Sequence, residues 1–453
     1  MEGLRMVEKR RVIACWAVFL SGVTGTLSGA PAVGLRPDRV PWEPPVNAVH
    51  IDPTANVGHT ADGSRERPFA SLERIQWRDG GVYVLRRGTV LEAKAFTVWK
   101  KDVTLASYGE GKRPVIRCVS VAAGRTNQHA IRADVAPSLT IRDLEIVAPK
   151  ATSCIRLNER CSGARVTNCL LRGAVWGIRA FRLSGLTIVD TEVRDIKDDG
   201  MFIMGVTDME IAHCFVHDVN QNWRPPYTSQ KEAGGDAIQF LNCDRWHVHH
   251  CELDRANSGN KFCFISNGPK QKMGIFEHNL TRGPLTTGDG GASVYFHDGD
   301  GLIVRHNTIL APSPGMLYSH STNLNVYGNV VVGVSGGVFA SKSARVAHNV
   351  FWDVEGTLAS GGHVTFVNNA GRLAVGKDSL GKVRRLDAEC NLLLTPEDYG
   401  RTPLFVAPEE LDFRMRPDSP GIDAGRATDV EIDRLGTTIP QGQAPDIGAY
   451  ERQ

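Results

Sequence analysis

Between residues 165 and 354 the chain repeats one short pattern: an alternating apolar run, two central polar or small residues, and a second apolar run, as in RVTNCLLRG, MEIAHCFVHDV, LIVRHNTIL and ARVAHNVFWDV. The second central position holds Cys169, Thr191, Cys214, Cys251, Asn279, Asn307, Asn329 and Asn349, at successive gaps of 22, 23, 37, 28, 28, 22 and 20 residues. A period near 22 residues constrains the fold more than composition does. A unit this short cannot enclose its own apolar face and must stack on its neighbours.

Alternation with a period of two argues for strands, whose side chains point to opposite faces in turn. Another short strand precedes each unit, among them CIRLN from 154, GIRAF from 177, GMFIM from 200, AIQFL from 237, SVYFH from 293 and GVFAS from 337, so three strands fit one coil. Leucine-rich repeats share the period but need a helical arc and more Leu. The expected fold is all-β, a parallel β-helix of about ten coils.

These repeats resemble the right-handed parallel β-helix of the pectate-lyase type, where stacked Asn side chains fill one corner as the Cys/Thr/Asn series does here. The flanks resemble such secreted proteins as well, in HIDPTANVGHTADGSRERPFASLERIQ at 50–76 and in LDFRMRPDSPGIDAG with PDIGAYE towards the C-terminus. The expected organisation is a signal peptide at 1–32, an N-terminal cap at 33–80, the β-helix at 81–395 and a closing segment at 396–453.

The signal peptide reads from KRR at 9–11, an apolar stretch from Val12 to about Leu27 and an Ala30-x-Ala32 pattern, too short for a membrane span. Cys15 lies near the start of that stretch, most of which follows it, and so does not mark a lipid anchor. A secreted or periplasmic monomer without a membrane span is expected. The chain carries 52 Lys and Arg against 50 Asp and Glu, and the leader holds four of the first and two of the second. The remainder is neutral, which argues against nucleic acid as the partner. Nine cysteines follow the leader. Cys169, Cys214 and Cys251 sit at the ladder position, where adjacent coils give a poor disulfide geometry. Cys154 with Cys161 is the expected bridge, if any forms.

A solenoid without an isolated pocket works on its lateral face. The longest loop walling the first-strand sheet is Asn220–Gly235, whose Trp223 and Tyr227 are candidates for stacking on sugar rings. Aligning Met201, Ile238 and Phe262 as inward residues places Asp199, Asp236 and Asn260 on three successive coils. Carboxylates that close need a proton, a cation or a metal between them, and with Asp195 and Asp198 beside them a Ca²⁺ site of oxygen ligands is one answer; turn capping by Asp is the other. The resemblance implies the first, since DDGMF at 198–202 is similar to the calcium-binding stretch of some pectate lyases.

Lys261 begins the next coil's first strand. Lyases of this family use Lys or Arg to take the proton α to a uronate carboxylate, which implies catalysis by Lys261 with Asp199 and Asp236. Family members often place the Lys one residue later, and an ion pair with Asp236 is the alternative role. The outward column Arg156, Arg179, Phe202, Gln239, then near Cys263, and Tyr295, Tyr318 and Phe339 suits a glycan, with the arginine pair favouring an acidic polysaccharide. Arg156, Arg179, Gln239 and Tyr295 are candidate substrate contacts. His213, His250, His278, His306 and His348 each precede a ladder residue and read as stacked or solvated imidazoles, no carboxylate or Cys accompanying them at metal-like spacing. HDGDG at 297–301 reads as a turn.

The leading functional expectation is a polysaccharide lyase cleaving a uronate-containing glycan with Ca²⁺ assistance. The alternatives are a glycoside hydrolase using Asp199 and Asp236 as paired carboxylates and a non-catalytic glycan-binding protein.

Overall fold

The computed structural model describes residues 34–36, 42–56, 60–120, 128–219, 235–254, 262–282, 292–310, 315–334, 336–373 and 380–452. The expected signal peptide lies outside them. A representative coil has a first strand Ser153–Leu157, a second Arg165–Thr167 and a third Leu170–Arg172. Each pairs in parallel with its counterpart one coil on, as Ile155 with Ile178, Val166 with Ile188 and Leu171 with Val193. The expected β-helix of about ten coils is what the structure shows, and its third-strand sheet runs from Val90–Lys94 to Leu392–Leu394.

Alternation sends one residue in two to the interior, and in-register pairing stacks like on like. Ile155, Ile178, Met201, Ile238, Phe264, Val294, Leu317 and Val338 form one such inner row on the first-strand sheet. All are essentially fully buried, each contributing about 1.5–3 kcal/mol by leaving water.

The corner between second and third strands carries the ladder. Asn307 accepts the Asn279 backbone N–H at 2.9 Å through Oδ1, and its Nδ2 donates to the carbonyls of Phe276 and Arg305, both at 2.9 Å. Asn329, Asn349, Asn369 and Asn391 continue the chain of bonds. The cysteines make the same bonds more weakly: the Cys251 thiol faces the carbonyls of His249 at 3.3 Å and Ile211 at 3.6 Å. Burial pushes the Cys169 thiol up to about 12, so it stays protonated and donates. All nine described cysteines are free. Cys154 does not bridge Cys161; its thiol points to the carbonyls of Ile146 and Arg172.

The N-terminal cap joins the stack through Val49–Ile51, parallel to Val82–Arg86, with Arg86 bound to Asp52 at 2.8 Å. The closing segment covers the outer face of the last third strands. There Val330, Val332, Val350 and Trp352 pack against Tyr399, Phe405, Phe413 and Tyr450, which explains why those strands are apolar on both faces. No helix of the described residues is long and apolar enough to cross a membrane.

Candidate functional site

The outward column of the first-strand sheet forms a continuous lateral face, the floor of the groove that the sequence predicts. Arg132, Arg156 and Arg179 occupy it on successive coils, followed by Phe202, Gln239, Ile265, Tyr295, Tyr318 and Phe339. Arg132 is paired with Asp134 at 2.8 Å. Arg156 and Arg179 make no ion pair among the described residues. Arg156 bonds Asn158 Oδ1 at 2.9 Å and lies 3.2 Å from His129 Nε2. Arg179 sits over the rings of Trp176 at 4.3 Å and Phe181 at 4.9 Å, its Nε buried without a hydrogen-bond partner.

Burial and then the Arg156 charge lower the Arg179 pKa, opposed by Asp199 and Asp198; burial and then Arg132 lower that of Arg156. Burial, then Arg156 and Arg179, push His129 down to about 3, so it is a neutral acceptor for Arg156 and adds no charge. Two half-buried guanidiniums side by side, neither in an ion pair among the described residues, make a place where an anion is favoured.

A second column runs where the first strands begin. The Asp236 backbone N–H donates to Asp199 Oδ1 at 2.7 Å, the Phe262 N–H donates to Asp236 Oδ1 at 2.9 Å, and the Trp176 indole N–H reaches Asp199 Oδ2 at 3.3 Å. Asp199 and Asp236 are each 3% exposed. Burial, then Asp236 and Asp198, raise the Asp199 pKa well above the usual carboxylate range. The coils meet closely because Gly177 and Gly200 follow Trp176 and Asp199: a Cβ there would lie 2.4 and 2.6 Å from the next coil's carbonyl oxygen.

The register brings Phe262, and not Asn260, into this column, because the inward partner of Ile238 is Phe264. A slip of two residues preserves the alternation, so the pattern alone could not reveal it. The same slip puts Ile265 on the groove floor where the sequence suggested the neighbourhood of Cys263.

Among the described residues these carboxylates do not bring three ligand atoms within 4.8 Å of one another. Both Asp199 oxygens accept N–H donors, and Asp236 Oδ1 accepts an amide. Asp198 is half-buried beside Arg179, its pKa raised by burial against that charge. Asp195 is exposed and paired with Arg194 at 2.7 Å.

The aromatic end of the groove stacks on itself. Phe262 and Tyr295 lie 5.0 Å apart, Tyr295 and Tyr318 5.4 Å, and Tyr318 and Phe339 4.4 Å, with interplanar angles of 20°, 27° and 11°. Their faces are turned to one another, so Tyr295 presents its edge and hydroxyl to a ligand.

Residues 153–370 match the family model described as right handed beta helix region. This chain is a right-handed parallel β-helix protein. Among solved structures the β-helix is similar to a GH136 lacto-N-biosidase from Eubacterium ramulus, at 13% identity and TM-score 0.50 over 77% of this chain and 68% of that one. It is similar to a PL6-family polysaccharide lyase from Pseudopedobacter saltans, at 12% identity and TM-score 0.50 over 76% and 94%. It also resembles XylC, determined in complex with xylose, at 8% identity and TM-score 0.54 over 90% and 99%. No curated protein sequence matches.

Of the predicted site residues, the β-helix brings Arg156 and Arg179 together, places Asp198 and Asp199 beside Arg179, stacks Asp236 on Asp199, and sets Gln239 next to Phe202 on the floor. Asp195 is held apart by Arg194. Lys261, Trp223 and Tyr227 lie outside the described residues. Sequence reasoning missed Trp176 and His129; WGI could have been aligned with DGM at 199–201 and DAI at 236–238, which would have put Trp176 in the Asp column.

Proposed function

We propose that this protein is a polysaccharide lyase acting on a uronate-containing glycan laid along the groove, with one uronate carboxylate held across Arg156 and Arg179. The observation that carries the reading is the arginine pair itself, adjacent, half-buried and without an ion-pair partner among the described residues. Removing the proton α to a carboxylate builds negative charge on that carboxylate, and fixed guanidiniums at that point lower the barrier without having to reorganise.

Lys261 is the proposed base, directly preceding Phe262, whose backbone N–H bonds Asp236. Asp199 and Asp236 would act as positioning residues that fix the strand starts. Gln239, the Tyr295 hydroxyl edge, Trp223 and Tyr227 would contact sugar. Charge neutralisation is assigned to the arginines, because both Asp199 oxygens are already engaged by N–H donors. A secreted or periplasmic setting fits both the leader and a polymeric substrate. The glycan-active names of two structural neighbours are compatible with the class and carry no more than that.

The raised pKa of Asp199 favours a second reading, a glycoside hydrolase in which Asp199 is the protonated acid and Asp236 its partner. Their 3% exposure opposes it, since neither carboxyl reaches the groove. Incubation with acidic and neutral polysaccharides decides between the two. Unsaturated, ultraviolet-absorbing products from an acidic polymer support the lyase; saturated reducing ends without that absorbance support the hydrolase. Binding without turnover leaves a glycan-binding module.

A further inference from the structure

The turn between second and third strands carries a side-chain column that the groove does not use. The residue before each ladder position has positive φ there: 52° at Asn168, 53° at Asp190, 52° at His213, 53° at His250, 51° at His278 and 56° at His306. Asn, Asp and His tolerate that conformation better than most residues, so the backbone accounts for a short polar residue at the turn. It does not account for His249, which ends the second strand Asp244–His249 and turns its ring to the same place.

His213 and His250 stack at 4.9 Å, and the Nδ1 atoms of His249 and His250 lie 2.9 Å apart. One ring nitrogen from each of His213, His249 and His250 lies within 4.8 Å of the other two. Two of the outward nitrogens are already engaged. His249 Nε2 is 3.3 Å from Glu210 Oε1, so the proton sits on Nε2 and Nδ1 keeps its lone pair. The His213 ring bonds the Gly34 backbone, and its Nδ1 is buried without a hydrogen-bond partner among the described residues, so the bond to Gly34 uses Nε2. An acceptor on one ring nitrogen with a bare lone pair on the other is the arrangement that orients a metal-bound imidazole.

We propose that His213, His249 and His250 bind a divalent transition metal ion, Zn²⁺ or another imidazole-preferring ion, with a fourth position left to water. Ligand atoms on a tetrahedral ion at about 2.1 Å lie about 3.4 Å from one another, within the range these nitrogens span. An all-imidazole set selects against calcium and magnesium. The Gly34 N–H donates to the His250 carbonyl at 2.7 Å, and Arg36 pairs with Asp190 at 2.6 Å. The ion therefore lies beside the N-terminal segment, at a corner away from the first-strand sheet, and joins two successive coils. The neighbouring group Glu277, His278 and His306 is a poorer site, because Glu277 is bound to His247 at 2.7 Å and to Arg305, and the charge of buried Arg434 acts on His278 and His306.

The test is Zn²⁺ titration of the full chain after chelator dialysis, followed by calorimetry and thermal melting, with Co²⁺ absorption as a spectroscopic readout. The expected result is one ion per chain, a raised melting temperature and tetrahedral Co²⁺ bands. His213→Asn and His250→Asn keep a residue suited to positive φ, as Asn168 does, and each should weaken binding at least tenfold, as should His249→Gln, while His306→Asn leaves it unchanged. His249→Gln lies outside the turn and keeps the test valid should the turn variants fail to fold. No Zn²⁺ binding by the wild type, binding unaltered in all three variants, or loss only in His306→Asn overturns the proposal.

Discussion

The backbone N–H of Asp236 donates to the Asp199 carboxyl at 2.7 Å, and both side chains are buried. A buried acid whose folded pKa is raised contributes stability below its unfolded pKa and loses it as pH climbs through the folded value. The protein should therefore lose stability as pH rises from about 4, until Asp199 ionises. Asp199→Asn keeps the acceptor for the Asp236 amide, gives up the longer bond from the Trp176 indole and removes the charge. It should flatten that slope and raise neutral-pH stability by about 1 kcal/mol, whereas Asp199→Ala should lower it by about 1–3 kcal/mol. Thermal melts across pH measure both.

The Asn ladder ranks its own substitutions. Asn307→Ala leaves the Asn279 amide and the Phe276 and Arg305 carbonyls without their partner, an expected loss of about 2–4 kcal/mol in denaturant unfolding. Asn307→Cys should cost about half as much, because Cys251 fills the equivalent place with longer bonds to the same two kinds of carbonyl.

Arg434 fixes the closing segment. It is fully buried and donates to the Asn307 carbonyl at 2.7 Å. Arg434→Ala should destabilise by about 2–4 kcal/mol and expose Val330, Val332 and Trp352. Faster limited proteolysis within 396–452 and dye binding to exposed apolar surface are the checks.

Chelation separates the groove from the histidine corner. Dialysis against a chelator should leave polysaccharide turnover unchanged at a temperature well below melting, while lowering the melting temperature of metal-loaded protein. Loss of turnover restored by Ca²⁺ would return calcium to the mechanism.

Fold and groove were legible because repetition supplies its own alignment: the inward rows and the column from Arg156 to Phe339 follow from period and alternation. The failures are where that ruler slips. The coil containing Phe264 is irregular, with a register shift between Asn267 and Gln271, and a two-residue error there misplaced Asn260 and Ile265 without violating alternation. Asn369 and Asn391 extend the ladder from VNNAG and AECNLL, coils whose flanking pattern is weaker. Trp176 was hidden by chemistry, since an aromatic residue does not suggest itself as the neighbour of two acids. The histidine cluster needed three dimensions, because His249 joins it from a strand position while Glu210 and Gly34 arrive from other coils and segments.

The most direct measurement compares kcat/KM on an acidic uronate polymer and its methyl-esterified form, for wild type and Arg179→Ala. If Arg156 and Arg179 hold the uronate carboxylate, esterification should reduce wild-type activity by about 100-fold, the value of a charge-assisted bidentate contact. The same esterification should reduce Arg179→Ala activity by no more than a few-fold. Equal losses in both proteins would contradict a carboxylate site at the arginine pair.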